Sequence, residues 1–159
     1  MPAVRVARFA DLDAATLYAL LRLRVDVFVV EQRCPYPELD GRDTEPDTRH
    51  LWISDDGRPV AYLRMLADPD GAVRIGRVVV AAPARGAGLA TVLVTAALEL
   101  AGTRPCVLDA QAYLAGYYAG LGFAATGPEY VEDGIPHVPM RLVQGSAATR
   151  SATERRRPV

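Results

Sequence analysis

The stretch "RVVVAAPARGAGLATVLVTAALEL", Arg77 to Leu100, runs from a row of valines through a small-residue loop holding one arginine into a helix. The first N–H groups of a helix have no partner within it, and the peptide dipoles add partial positive charge there. A glycine-rich approach to a helix therefore makes a seat for an anion. Arg85 adds a full charge to that seat. Upstream lie Glu31, Glu38, Asp40, Asp43 and His50, carboxylates and an imidazole able to take up protons. Arg64, Arg77, Asp109 and Gln111 are candidates for substrate contact or for pairing within the fold. Cys34 could be read as a nucleophile, but it precedes a proline in a loop and lacks a clear base.

Two familiar anion loops are excluded. The Walker type needs a lysine followed by Ser or Thr, and the chain contains no lysine. A dinucleotide fingerprint starting at Gly86 and Gly88 would meet Thr91 where its third glycine belongs, and too few strand-helix units follow to complete such a fold. The two cysteines, Cys34 and Cys106, lack CxxC spacing and a neighbouring His/Cys cluster, so neither a metal site nor a disulfide is expected.

The elements that must position these groups follow from hydrophobic periodicity. "AVRVARF" alternates like a strand, and Asp11 or Asp13 can cap a helix carrying Leu17, Leu20, Leu21, Leu23, Val27 and Phe28 on one side. A Pro-rich loop leads to three strands, "HLWIS", "PVAYLRMLA" and "AVRIGRVVV", separated by the turn signals "DDGR" and "DPDG". A helix from about Gly88 to Ala101 ends at Gly102, "CVLDA" is a buried strand, and "YLAGYYAGL" is a short helix closed by Gly122. "FAAT" and "HVPMRLV" are the last two strands. This order predicts one α/β domain over residues 1–144 with a mixed sheet.

Composition agrees with a single domain. A chain of 159 residues that is 50% hydrophobic can bury its own core. It has no run near the roughly 18 apolar residues of a membrane span and no apolar leader, so a cytoplasmic protein with reduced thiols is expected. The final segment "GSAATRSATERRRPV", residues 145–159, carries four arginines against one glutamate and reads as a disordered basic tail. With no basic face in the folded part, neither nucleic acid nor membrane is expected as a partner.

The pair formed by "RGAGLA" and, some thirty residues later, "YYAGLGF" resembles the Arg/Gln-x-x-Gly-x-Gly/Ala and Y-x-x-x-G-F signatures of the GNAT superfamily of acetyl-CoA-dependent N-acetyltransferases. "RVDVFVVEQRCPYPELDGRD" followed by "RHLW" is similar to its ElaA-like branch. The resemblance covers Val4 to Leu142. It departs from the pattern at Ala90, in place of glycine, and at the Tyr-Tyr pair. It implies a mostly antiparallel sheet with splayed central strands flanked by helices.

The resemblance also implies a chemistry. Arg85, Gly86, Ala87, Gly88, Leu89 and Ala90, with Thr91 just inside the helix, would hold the diphosphate of acetyl-CoA. The backbone of Val78, Val79 and Val80 would pair with the pantetheine arm, and one amide would polarise the thioester carbonyl. Tyr118 would give a proton to the departing thiolate, since a phenol with a pKa of about 10 is close to an alkyl thiol. Tyr117, about 100° around the helix, would be a packing residue. Glu31 and His50 are the candidates for the base, and Asp40, Asp43, Arg64, Arg77 and Gln111 for acceptor contact. The acceptor would be the primary amine of a small molecule, peptide or protein, and a homodimer is compatible with the sequence. A silent coenzyme A sensor is the alternative.

Glu31 to Asp47 carry six acids against two arginines. The resemblance puts this segment beside the acceptor pocket, where such a charge would draw in a protonated amine.

Overall fold

The carboxylate of Asp13 accepts a hydrogen bond from the Thr16 N–H at 2.7 Å and starts the first helix, α1 (Ala14–Val25). Asp11, the other candidate cap, is bonded to Arg8 instead. The structure, a computed structural model, describes residues 2–144, so the basic segment 145–159 lies outside the described residues.

The α-periodicity expected through Phe28 ends sooner. Asp26–Glu31 form a wider turn, with the Gln32 N–H bonded to the Val27 carbonyl at 3.0 Å and the Cys34 N–H to the Val29 carbonyl at 3.1 Å. Such π-type turns are rare and often stand at functional sites. Here the turn aims Val27, Phe28 and Glu31 at a cavity.

The strands are β1 (Arg5–Ala7), β2 (Arg49–Asp55), β3 (Arg58–Ala67), β4 (Val73–Val80), β5 (Cys106–Gln111), β6 (Ala124–Ala125), β7 (Tyr130–Glu132) and β8 (Ile135–Leu142). They form one sheet in the order β1-β2-β3-β4-β5-β8-β6, with β7 beside β8. Every pair is antiparallel except β4–β5. Strand β7 was not expected. Its signal was the "DG" at Asp133 and Gly134, whose φ values of 50° and 76° make the tight hairpin to β8.

Helices α2 (Leu89–Ala101) and α3 (Ala115–Gly120) complete the chain. The larger core lies on their face of the sheet, with Leu51, Leu63, Ile75, Leu93, Val94 and Phe123 buried together. A smaller core, Leu20, Leu23, Val27, Trp52, Tyr62 and Val79, lies under α1.

One irregularity positions the site. Tyr62 pairs with Val79 and Arg64 with Gly76, so Arg77 and Val78 stand together opposite Leu63. This is a β-bulge, with Arg77 at a φ of 53°. In a regular strand Ile75 and Val79 would share a face; the bulge sends Ile75 into the larger core and Val79 into the smaller one. Already before the bulge β4 leaves β5, since these strands pair only at Val73–Cys106 and Arg74–Val107.

Candidate active site

The gap between β4 and β5 opens into a cavity of about 780 Å³ that reaches both faces of the sheet. Leu108, Ala110, Tyr117 and Tyr118 line it on the side of α2, while Arg64, Arg77 and Asp40 line it on the other. Val78, Val79 and Val80 run along it, with the backbone edge that faces β5 outside any strand pairing.

At one end of this edge the chain turns into α2. Gly86 and Gly88 adopt φ values of 87° and 75°, and a Cβ on either would meet nothing within 4 Å, so the approach to the helix is open. Ala90 and Arg85 reach the cavity wall, while Gly86, Ala87, Gly88 and Leu89 form the turn beyond it. Arg85 donates through Nε to the Val80 carbonyl at 3.0 Å and through Nη2 to Glu31 at 2.7 Å. Thr91 faces inward instead, its hydroxyl 2.7 Å from that of Tyr117. A strand edge with no strand partner, its last carbonyl held by Arg85, that ends at glycine amides and a helix N-terminus fits an extended thiol arm carrying a diphosphate.

Tyr118 lies at the inner wall, its ring edge-on to Tyr117 at 5.1 Å and to Phe123 at 5.9 Å. Burial first, and then the neighbouring Tyr117 and Tyr113, hold its pKa above the ordinary 10. A phenol holds its proton at neutral pH in any case, and the upward shift keeps this one so.

The wall opposite is an ionic lattice built around a residue that sequence reasoning missed. Arg24, with no exposure, bonds Asp43 at 2.6 Å and Glu38 at 2.9 Å, and its guanidinium lies over the Tyr62 ring. Arg64 bonds Asp40 at 2.8 Å and Asp43 at 3.1 Å, and Arg77 lies 2.6 Å from Glu38. Burial alone would raise the pKa of Asp40 and Asp43, but the arginine hydrogen bonds outweigh it and hold both below the carboxylate range. Arg24 sits on the helix face read as apolar, and its only signal was a charge among leucines.

This lattice corrects the expected acidic potential. Glu38, Asp40 and Asp43 face Arg24, Arg64 and Arg77, Glu45 pairs with Arg42, and Glu31 pairs with Arg85. Of the six acids only Asp47 lacks an ion pair among the described residues, so the segment brings little net charge to the cavity. Asp43 is outside the cavity wall, whereas Asp40, Arg64, Arg77 and Gln111 are on it.

His50 is also corrected as a base. It is 1% exposed and off the cavity wall, with Nδ1 2.6 Å from the Tyr62 hydroxyl and Nε2 3.0 Å from the Asp43 carbonyl. A carbonyl only accepts, so Nε2 donates and Nδ1 accepts from Tyr62, which leaves neither nitrogen free. Burial, the largest influence, lowers its pKa and keeps it neutral.

At the far end of the cavity Asp109 pairs with Arg74 at 2.7 Å, and Gln111 donates to Gln32 at 3.3 Å. Cys34 is buried in the wall and donates weakly to the Asp133 carbonyl at 3.4 Å. His137, read only as part of a strand, lines this end too. Among the described residues no helix is long and apolar enough to cross a membrane, and no group of three or more His, Cys, Asp or Glu is placed to hold a metal ion.

The comparisons agree with this geometry. Residues 22–144 match the family model of the acetyltransferase (GNAT) domain. A UPF0039 protein of Mycobacterium tuberculosis is 53% identical over 134 residues, covering 82% of this chain and 86% of that protein. The crystal structure of an acyl-CoA N-acyltransferase from Pseudomonas aeruginosa superposes with a TM-score of 0.85 at 47% identity, over 90% of this chain and 100% of that one. Escherichia coli ElaA superposes with a TM-score of 0.84 at 38% identity, over 89% and 99%. With a split sheet, a glycine-arginine turn into α2 and relatives of this kind, the chain belongs to the GNAT acetyltransferase family and is a transferase.

Proposed function

We propose that the protein moves an acetyl group from acetyl-CoA to a primary amine by direct attack within a ternary complex. The observation that carries this reading is the divergence of β4 from β5, with the unpaired edge of Val78–Val80 running onto the Gly86–Gly88 turn and Arg85. Acetyl-CoA, when bound, would supply the thioester. The chain's own groups then divide the work. Arg85 and the amides from Gly86 to Ala90 hold the diphosphate, and the Val78–Val80 backbone aligns the arm as an added strand. One amide of that strand polarises the thioester carbonyl. Tyr118 gives its hydroxyl proton to the departing sulfur.

The acceptor amine enters from the face of Arg64 and Arg77, whose charges the lattice already balances. Glu132 and Asp133, in the β7–β8 hairpin, are wall carboxylates with no ion-pair partner among the described residues. They favour a cationic amine, whether a small molecule or a peptide or protein amine.

The test is acetyl-CoA with a panel of amines, reading thiol release and the mass of the product. An acetylated amine is the expected result. Coenzyme binding without any product would instead make the protein a coenzyme A sensor.

A further inference from the structure

We infer that His137 is the group that takes the proton from the attacking amine, an assignment that rests on the acetyl-transfer reading. His137 stands opposite Gln111 in the β5–β8 pairing, on the wall of the cavity where β5 has left β4. Its Nδ1 lies 2.7 Å from the Ile135 carbonyl. That oxygen can only accept, so Nδ1 carries the hydrogen and the neutral ring keeps its lone pair on Nε2. Tyr130 stacks on the ring at 5.8 Å and fixes its plane.

The other proton acceptors near the cavity are committed elsewhere. Asp40 is bonded to Arg64 and Asp109 to Arg74, and Glu31 sits beside Arg85 at the diphosphate end of the cavity. Asp43 and His50 lie off the wall. Glu132 and Asp133 are exposed in their hairpin, and a carboxylate is a weaker base than an imidazole. An imidazole with one bare nitrogen suits the task better. Tyr130 on β7 stacks on it, and the charged and titratable groups that share its end of the cavity lining are Asp109 on β5, Arg74 on β4, Glu132 and Asp133 in the hairpin, and Tyr113 before α3.

The step balances. A protonated acceptor first gives one proton to water; the neutral amine nitrogen then bonds to the thioester carbonyl carbon, its N–H proton passes to His137 Nε2, the carbon–sulfur bond breaks, and the Tyr118 hydroxyl proton goes to the sulfur. Water then returns the proton from His137 to Tyr118, leaving an amide and a free thiol.

The test uses the whole chain with acetyl-CoA and two probe acceptors, glycinamide and 1,4-diaminobutane. His137→Asn keeps an N–H close to the position of Nδ1 and removes the basic nitrogen. The expected results are a kcat lower by about 10² or more, unchanged affinity for coenzyme A, loss of the acid limb of the pH-rate profile, and partial rescue by added imidazole. If that variant does not fold, His137→Gln carries the same readouts. A near-normal kcat, or a loss with the acid limb retained and no rescue by imidazole, overturns the assignment. Wild-type protein that acetylates neither probe overturns the acetyl-transfer reading beneath it, a result that no His137 variant is needed to see.

Discussion

Glu31 Oε2 stands 2.7 Å from Arg85 Nη2, on the same guanidinium that a diphosphate would take. Both side chains are nearly half exposed, so the pair contributes little to stability. On the proposed reading its consequence is competition, because a diphosphate on Arg85 would displace the carboxylate. Glu31→Gln should therefore bind coenzyme A more tightly, by up to about fivefold if the pair is worth the usual fraction of a kcal/mol. Isothermal titration of coenzyme A reads this directly; equal or weaker affinity in the variant counts against Arg85 as the diphosphate ligand.

Arg24 holds two carboxylates in a place that water does not reach. Arg24→Met would leave Glu38 and Asp43 short of a partner, and breaking such a buried pair typically costs about 3–5 kcal/mol. Urea unfolding of the variant should show a loss of that order. A loss below about 1 kcal/mol would mean that the lattice is not what holds the loop against α1.

Acid should weaken the fold in two stages. His50 is kept neutral, with its pKa below 6.5, so below about pH 6.5 the unfolded chain binds a proton that the native state refuses, and stability falls. Asp40 and Asp43 have depressed pKa values, so their contribution is present above about pH 4 and is lost as pH falls further. Thermal midpoints between pH 7.5 and 3 should show both stages, and His50→Gln should flatten the first. A variant that keeps the full drop between pH 7 and 5 would place that proton elsewhere.

The acceptor's charge preference now rests on the β7–β8 hairpin rather than on the Glu31–Asp47 segment. Asp133 has a φ of 50°, which Asn also tolerates, so a Glu132→Gln, Asp133→Asn double variant should keep the turn. Its kcat/KM for 1,4-diaminobutane should fall severalfold at low salt and approach that of wild type at high salt, where charges about 10 Å apart are screened. Equal values at low salt would show that these carboxylates do not select the acceptor.

Much of this was legible in the sequence, for reasons that differ by residue. Gly88 and Gly102 frame α2 because both take positive φ, and the strands around Leu51, Leu63 and Ile75 announce themselves by alternation. The Arg85 loop could be read because an anion seat is local chemistry. What escaped depends on contacts distant in sequence. Arg24 meets Asp43 across nineteen positions, and the bulge at Arg77 appears only when β4 is laid beside β3. The charges of the Glu31–Asp47 segment were counted correctly, but Arg24, Arg64, Arg77 and Arg85, which cancel most of them, come from outside it. His137 gained its place on the wall only through the pairing of β8 with β5.

The measurement that bears most directly on the central claim is the kinetic comparison of wild type with Tyr118→Phe, which keeps the ring and removes only the hydroxyl. With acetyl-CoA and an amine that wild type acetylates, the account predicts a kcat lower by about 10²–10⁴ with coenzyme A affinity hardly changed, because the proton for the departing thiolate is lost while the split sheet and the Arg85 turn remain. An undiminished kcat would contradict it.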